Sequence, residues 1–194
     1  MDIQQLINSG FLIKEYPKDA IIYEPGMFPK YVYFIKSGEV RMVTVNEDGR
    51  EFIQGIFKSG QYFGEPALIV NRRYLAFTIA SKDSEIILLG KSDFFHLIES
   101  MPDFSTEIIQ TLSNRLFYKS MMLEELANEK AEHRLLTIIK YLLNDIEIGG
   151  HLKVTRQELA DMTGLRVETV IRGVKLLVRK NLIFTKKGKI IKVA

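Results

Sequence analysis

Apolar positions along the 194-residue chain follow two different periods. From Phe11 to Gly90 they come in short runs rich in β-branched and aromatic residues: Tyr31–Lys36, Val40–Val45, Glu51–Phe57, Leu75–Ser81 and Glu85–Leu89. Turn pairs separate these runs, at Pro25-Gly26, Ser37-Gly38, Asp48-Gly49 and Ser59-Gly60. Such runs read as strands, and Asp48-Gly49 between two of them reads as a hairpin. Many short strands at close spacing predict an antiparallel roll or barrel, of a size that often encloses a small ligand. Ahead of it, Asp2–Ser9 reads as a short helix capped by Asp2 and stopped at Gly10.

Beyond Gly90 the period becomes helical. Ser92 is placed to cap a helix over Asp93–Ser100, and Met101-Pro102-Asp103 breaks it. From Phe104 to Lys130 neither Gly nor Pro interrupts the pattern. Ile109, Leu112, Leu116, Leu123 and Leu126 fall at a/d heptad spacing, with Lys119 where a leucine is expected. A helix of about 27 residues is ~40 Å long, more than a small domain needs. Its natural use is a two-stranded dimer seam, weighed against packing onto its own domain. Ala131–Leu143 is a further amphipathic helix, ended by Gly149-Gly150.

The stretch Val154–Leu177 carries the strongest local signal. Thr155 with Glu158 three residues later forms a capping-box pattern,. Gln157–Met162 is helical, Gly164 interrupts, and a second helix begins near Val167 with Val170, Val174 and Leu177 on its inner side. This is the helix-turn-helix pattern, whose second helix enters the DNA major groove. Glu168 and Arg172, four apart, share a different face,. An arginine there suits guanine O6 and N7, and a glutamate suits cytosine N4. The plain alternative is an exposed Glu–Arg ion pair. Leu182–Thr185 and Lys189–Val193 then read as a hairpin wing with a basic tip at Lys186-Lys187-Gly188.

Charge sharpens the division. Residues 1–130 carry a net −4 and residues 131–194 a net +7, as a nucleic-acid-facing C-terminal part would. There is no cysteine, which excludes disulfides, thiolate zinc sites and cysteine-ligated iron–sulfur clusters. The start MDIQQLINSG lacks a basic n-region, and no apolar run approaches the ~20 residues of a membrane span. A cytoplasmic protein with no membrane association is the expectation. His96, His133 and His151 fall in separate elements with no ligand spacing, so no metal site is expected. A cupin-type enzyme is excluded because Phe11–Gly90 contains no histidine; no catalytic residues are expected.

The order of β-roll, long helix and winged helix-turn-helix, with Tyr33–Val45, Phe63–Leu68 and Val154–Leu177 as its strongest segments, resembles the Crp–Fnr family of bacterial transcription regulators. The resemblance implies an α+β chain: a cyclic-nucleotide-binding-like, jelly-roll-like antiparallel roll over residues 1–103, a dimerisation helix over 104–130 and a DNA-binding domain over 131–194. It implies a homodimer on palindromic double-stranded promoter DNA, contact with RNA polymerase and a small-molecule or redox sensor domain, here with an effector other than cyclic AMP or none. Residues expected at DNA are Thr155, Arg156, Arg166, Glu168, Thr169, Arg172 and Lys187. Val167 before Glu168 is nearer the Fnr-like arrangement, which implies a TTGA-type half-site. Gly173 stands where the family has an apolar core residue and Ile171 where it often has a small one; the two are expected to compensate by repacking.

The resemblance also exposes departures. In cyclic-AMP-binding members a Gly-Glu pair holds the ribose hydroxyls and a later Arg-Ser pair holds the phosphate. Gly64 and Glu65 keep the first half, but the second aligns to Tyr74-Leu75, with Arg73 one residue out of register. A Thr-Ser pair that contacts the base aligns to Lys119-Ser120. Gly64, Glu65, Arg73, Tyr74, Lys119 and Ser120 are therefore the effector-pocket candidates, and cyclic AMP is not the expected effector. The competing function is a ligand-binding module whose C-terminal domain contacts protein rather than specific DNA.

Overall fold

In the computed structural model, residues 10–49, 51–127 and 130–193 are described; the expected Asp2–Ser9 helix lies outside them. The chain divides into two compact units, Met1–Leu116 and Phe117–Ala194.

The N-terminal unit is a two-sheet antiparallel roll. One sheet orders β1 (Leu12–Tyr16), β8 (Ser84–Gly90), β3 (Tyr31–Ser37) and β6 (Tyr62–Phe63); the other orders β2 (Ile21–Tyr23), β7 (Phe77–Ala80), β4 (Glu39–Val45) and β5 (Glu51–Lys58). All five strands expected from the pattern are present, with shifted ends; β1, β2 and β6 were not among them. β4 and β5 pair across the Asp48-Gly49 turn, from Glu39↔Lys58 to Val45↔Glu51. The period-2 alternation of β3 and β8 is apolar on both faces. Tyr33, Ile35, Ile86 and Leu88 point between the sheets, where Phe57, Phe63 and Tyr74 join them. Val32, Phe34, Ile87 and Leu89 point the other way, onto helices. A strand buried on both sides reads as a continuous apolar run.

Those helices are α1 (Glu65–Ile69), α2 (Lys91–Ser100) and the first half of α3 (Pro102–Ala127). The start of α2 corrects the expectation. Gly90, not Ser92, is its N-cap, with no side-chain capping bond. The expected break falls at Met101, the extended C-cap of α2, and Pro102 already belongs to α3, at its first turn, where its missing N–H costs nothing,.

The long helix carries two stripes, so the two readings of it are not exclusive. Phe104 and Ile108 are buried in the core of the N-terminal unit, and Arg115 continues that face. Roughly a quarter-turn away at ~100° per residue lies the a/d row. Ile109, Leu116 and Leu123 on it are 64%, 67% and 69% exposed. Only Leu112 of the row is partly covered, by the roll's core.

The C-terminal unit contains the end of α3, α4 (Ala131–Asn144), α5 (Arg156–Thr163), α6 (Val167–Arg179) and the hairpin β9 (Phe184–Lys186) with β10 (Lys189–Ile191). His151 adds an isolated bridge to Ile191. Helix α4 ends at Asn144, five residues ahead of Gly149-Gly150. Its core is Leu135, Ile138 and Ile139 of α4 with Leu159, Ala160, Val170, Val174 and Leu177, all buried. Gly173 lies close to α4: a Cβ there would be 2.7 Å from Leu135 Cδ2, so that side chain would have to shift. The space the glycine leaves is thus filled from α4. Ile171 does not repack into it, contrary to expectation, and is 40% exposed.

Candidate functional site

The first turn of α5 is fixed by the capping box. Thr155 Oγ1 accepts from the Glu158 N–H (3.0 Å), and Glu158 Oε2 accepts from the Thr155 N–H (2.6 Å). This satisfies two donors that a helix start otherwise leaves orphaned. Gly164 then caps α5 at φ +67°, and α6 begins three residues later. The two helices of the motif are thereby set at a tight turn.

Helix α6 buries Val170, Val174 and Leu177 and leaves one polar stripe outside. At ~100° per residue, Glu168, Arg172, Lys175 and Arg179 lie within about 60° of one another. All four are exposed. Among the described residues none of them has a hydrogen bond or ion pair. Glu168 and Arg172 therefore do not form the exposed ion pair that was the plain alternative. Their heads point outward and uncommitted, as groups that read base edges must. Lys175 and Arg179 were missed from sequence, although their spacings of seven and eleven from Glu168 place them on the same face. Arg166 is the exposed N-cap residue of α6, without a capping side-chain bond, and Thr169 is half-buried beside the stripe.

The wing lies alongside. A groove of about 380 Å³ between α6 and the hairpin is lined by Arg156, Ile171, Lys175, Arg179, Thr185 and Gly188, among others. Arg156 donates to the Gly188 carbonyl (3.0 Å), which ties the start of α5 to the wing. Burial lowers the pKa of its guanidinium from the usual arginine range. Lys187 sits at the wing tip at φ +49° and is exposed.

The interior of the roll combines a buried ion pair with a cluster of aromatic rings. Gly64 precedes α1 at φ +90°, and a Cβ there would lie 2.9 Å from Tyr33 Cδ2 and 3.3 Å from the Tyr31 carbonyl. That conformation and that space admit only glycine. Glu65 beside it is fully buried. Its Oε1 accepts from Arg115 Nη1, while Arg115 Nη2 donates to the Tyr62 carbonyl (2.6 Å). The guanidinium also lies 5.0 Å from the centroid of Phe57 and 5.3 Å from that of Tyr62. Burial pushes the Glu65 carboxyl above the usual range, and the charge and hydrogen bond of Arg115 pull against it. Arg115 was not anticipated: nothing local in the sequence links positions fifty apart.

Tyr74 is buried and stacks on Tyr23 at 3.6 Å between centroids. Tyr33 stacks on Phe63 at 5.0 Å. Burial pushes the Tyr23 and Tyr74 hydroxyls well above the usual phenol range and Tyr33 up to about 12, so all three stay neutral near pH 7,. Arg73 faces outward. It donates to the Gly26 carbonyl (2.6 Å) and covers the ring of Phe28 at 4.0 Å. Lys119 and Ser120 are exposed on α3, in the C-terminal unit.

Comparison with known proteins finds two family models that match the chain. Residues 13–101 match the cyclic nucleotide-binding domain model and residues 133–194 the Crp-like helix-turn-helix domain model. The cAMP-activated global transcriptional regulator CRP of Pasteurella multocida is 29% identical, over 88% of this chain and 85% of that protein. The cyclic AMP receptor protein of Thermus thermophilus is 27% identical, over 90% of this chain and 81% of its own. A solved CRP/FNR-family transcriptional regulator, also from Thermus thermophilus, superposes with a TM-score of 0.68 at 26% identity, covering 94% of each chain. Proteins of this kind are transcription regulators and not enzymes. With a nucleotide-binding-type roll, a Crp-like helix-turn-helix and relatives spanning nearly all of it, the chain belongs to the Crp–Fnr family of DNA-binding transcription regulators.

Proposed function

We propose that this protein is a homodimeric, sequence-specific transcription regulator that reads a palindromic promoter site with Glu168 and Arg172, and that it does so without cyclic AMP. The observation that carries the reading is the α6 stripe of four exposed, uncommitted charged heads. Arg172 donates to guanine and Glu168 accepts from cytosine on adjacent base pairs. Lys175, Arg179, Arg166 and the wing's Lys187 hold phosphate, and Thr169 lies at the edge of the base-reading face. The capping box at Thr155 and the Arg156–Gly188 link hold the motif in shape. Dimerisation uses the exposed a/d row of α3, and RNA polymerase is the partner on the promoter.

Cyclic AMP does not fit the roll. Its phosphate needs a committed cation, and among the described residues the cation beside Glu65 is Arg115, already neutralised by that carboxylate. Tyr74, where the resemblance would put the second phosphate contact, is instead a neutral ring stacked on Tyr23 in the buried aromatic cluster. Any effector is a different molecule, and DNA binding does not require one.

Fluorescence anisotropy with a selected site and a scrambled duplex tests the base-reading role. Arg172→Ala should weaken specific binding by ~1–3 kcal/mol and leave scrambled-DNA binding nearly unchanged. An unaltered ratio of the two affinities would refute the role given to Arg172.

A further inference from the structure

We propose that Glu125 and Arg134 set the half-site spacing this regulator accepts, by pinning the helix-turn-helix to the end of the dimer helix. The inference rests on the dyad-reading function above. In a two-fold dimer the separation of the recognition helices is decided within each protomer, by how the motif is held on the seam helix. One added base pair turns a half-site by about 35° around the DNA axis. Only a rigid holder can discriminate such a change.

The holder is contained in the C-terminal unit. Glu125, near the end of α3, is 5% exposed. Burying a carboxylate is costly unless its oxygens are satisfied, and here both are. Oε1 accepts from Thr137 Oγ1 (2.8 Å) and Oε2 from His133 Nδ1 (2.7 Å), so one side chain of α3 holds two positions of α4. Between those positions, Arg134 extends the link. Its Nε donates to the Glu125 backbone carbonyl (3.2 Å) and its Nη1 to the Thr163 carbonyl (3.1 Å). Thr163 is the last residue of α5, directly before the Gly164 turn. It is fully buried, and its Oγ1 donates to the Leu159 carbonyl (2.6 Å) and the Ala160 carbonyl (3.1 Å). One guanidinium therefore touches both the seam helix and the turn that aims α6. Higher on α3, the Tyr118 ring packs on Tyr141 of α4 at 4.3 Å between centroids, tilted by 31°. From the other side, α6 is pressed onto α4 at Gly173 and Leu135. Only a planar fork spans two carbonyls in this way; a lysine ammonium does not.

The test uses the full chain and a series of duplexes in which two selected half-sites are separated by different spacers, one base pair apart. Wild-type protein should prefer one spacer over its neighbours by about tenfold, equivalent to ~1.4 kcal/mol. Arg134→Lys, which keeps the charge and loses the fork, should flatten that preference to roughly threefold or less, with half-site selectivity intact. Glu125→Ala should behave alike, and Glu125→Gln, which keeps one acceptor, should recover most of the preference. Thermal melts establish that each variant is folded, and the lysine and glutamine variants keep the question open to refutation if alanine unfolds. Folded variants that retain the wild-type spacing profile would overturn the pinning role alone. Wild-type protein that enriches no half-site, or binds every spacer equally, would overturn the dyad reading and this inference with it.

Discussion

Removing either partner of the Glu65–Arg115 pair should have unequal effects, because the two ends are unequally buried. The Glu65 side chain is fully buried, whereas that of Arg115 is 27% exposed. Arg115→Met keeps an aliphatic stem over Phe57 and Tyr62 but leaves a buried carboxylate unpaired. Breaking a buried pair in that way costs ~3–5 kcal/mol. For a domain of this size that corresponds to a fall in Tm of about 10 °C or more. Glu65→Gln leaves the partly solvated guanidinium alone, still bonded to the Tyr62 carbonyl, and should cost about half as much. The sign of the pH dependence separates the two. In Arg115→Met the folded carboxyl pKa is pushed further up by burial, above its unfolded value near 4.3. The penalty is then complete above the folded pKa, shrinks as pH falls through it, and vanishes below the unfolded value. Denaturant unfolding of both variants and wild type from about pH 8 to about pH 5 checks this. A gap between Arg115→Met and wild type that narrows on acidification is expected, with a flatter profile for Glu65→Gln. Equal, pH-independent losses below ~1 kcal/mol, the range of exposed ion pairs, would refute a buried pair at the heart of the roll.

Further tests bear on the proposed dimer seam and on the roll. Leu116→Glu with Leu123→Glu places like charges on the exposed a/d row and should give a monomer by sedimentation, with loss of dyad binding. Lys119→Leu removes the cation from a d-type position and should tighten the dimer, since a polar residue there costs stability. Gly64→Ala, which forces a Cβ against Tyr33 at φ +90°, should lower roll stability by ~1–3 kcal/mol or more in urea titration.

What the sequence made legible was local. The helix-turn-helix could be read because its signals, the Thr155–Glu158 box and Gly164, act over three or four residues and recur unchanged in the structure. The strands of β3, β4, β5 and β8 were visible because both of their faces or one clean face are apolar. β1 alternates weakly at an edge, β2 is three residues long, and β6 only two, too short for any period to show. The start of α2 was misplaced because Ser92 is a better cap by type, yet β8 runs on to Gly90 and the helix follows at once. The remaining gaps are non-local. Arg115 opposite Glu65, Arg134 opposite Thr163, and Leu135 filling the space at Gly173 are all settled by packing between elements far apart in sequence. Lys175 and Arg179 are the exception, since helical spacing alone places them beside Arg172. Among the described residues no helix is long and apolar enough to cross a membrane.

The most direct measurement is a random-site selection with purified, ligand-free protein at physiological salt, read by sequencing. A dyad with TTGA-like half-sites at one preferred spacing is the expected result, and it would establish that the protein reads DNA with no effector added. Failure to enrich any dyad without an added effector, with enrichment restored by cyclic AMP, would contradict the central claim.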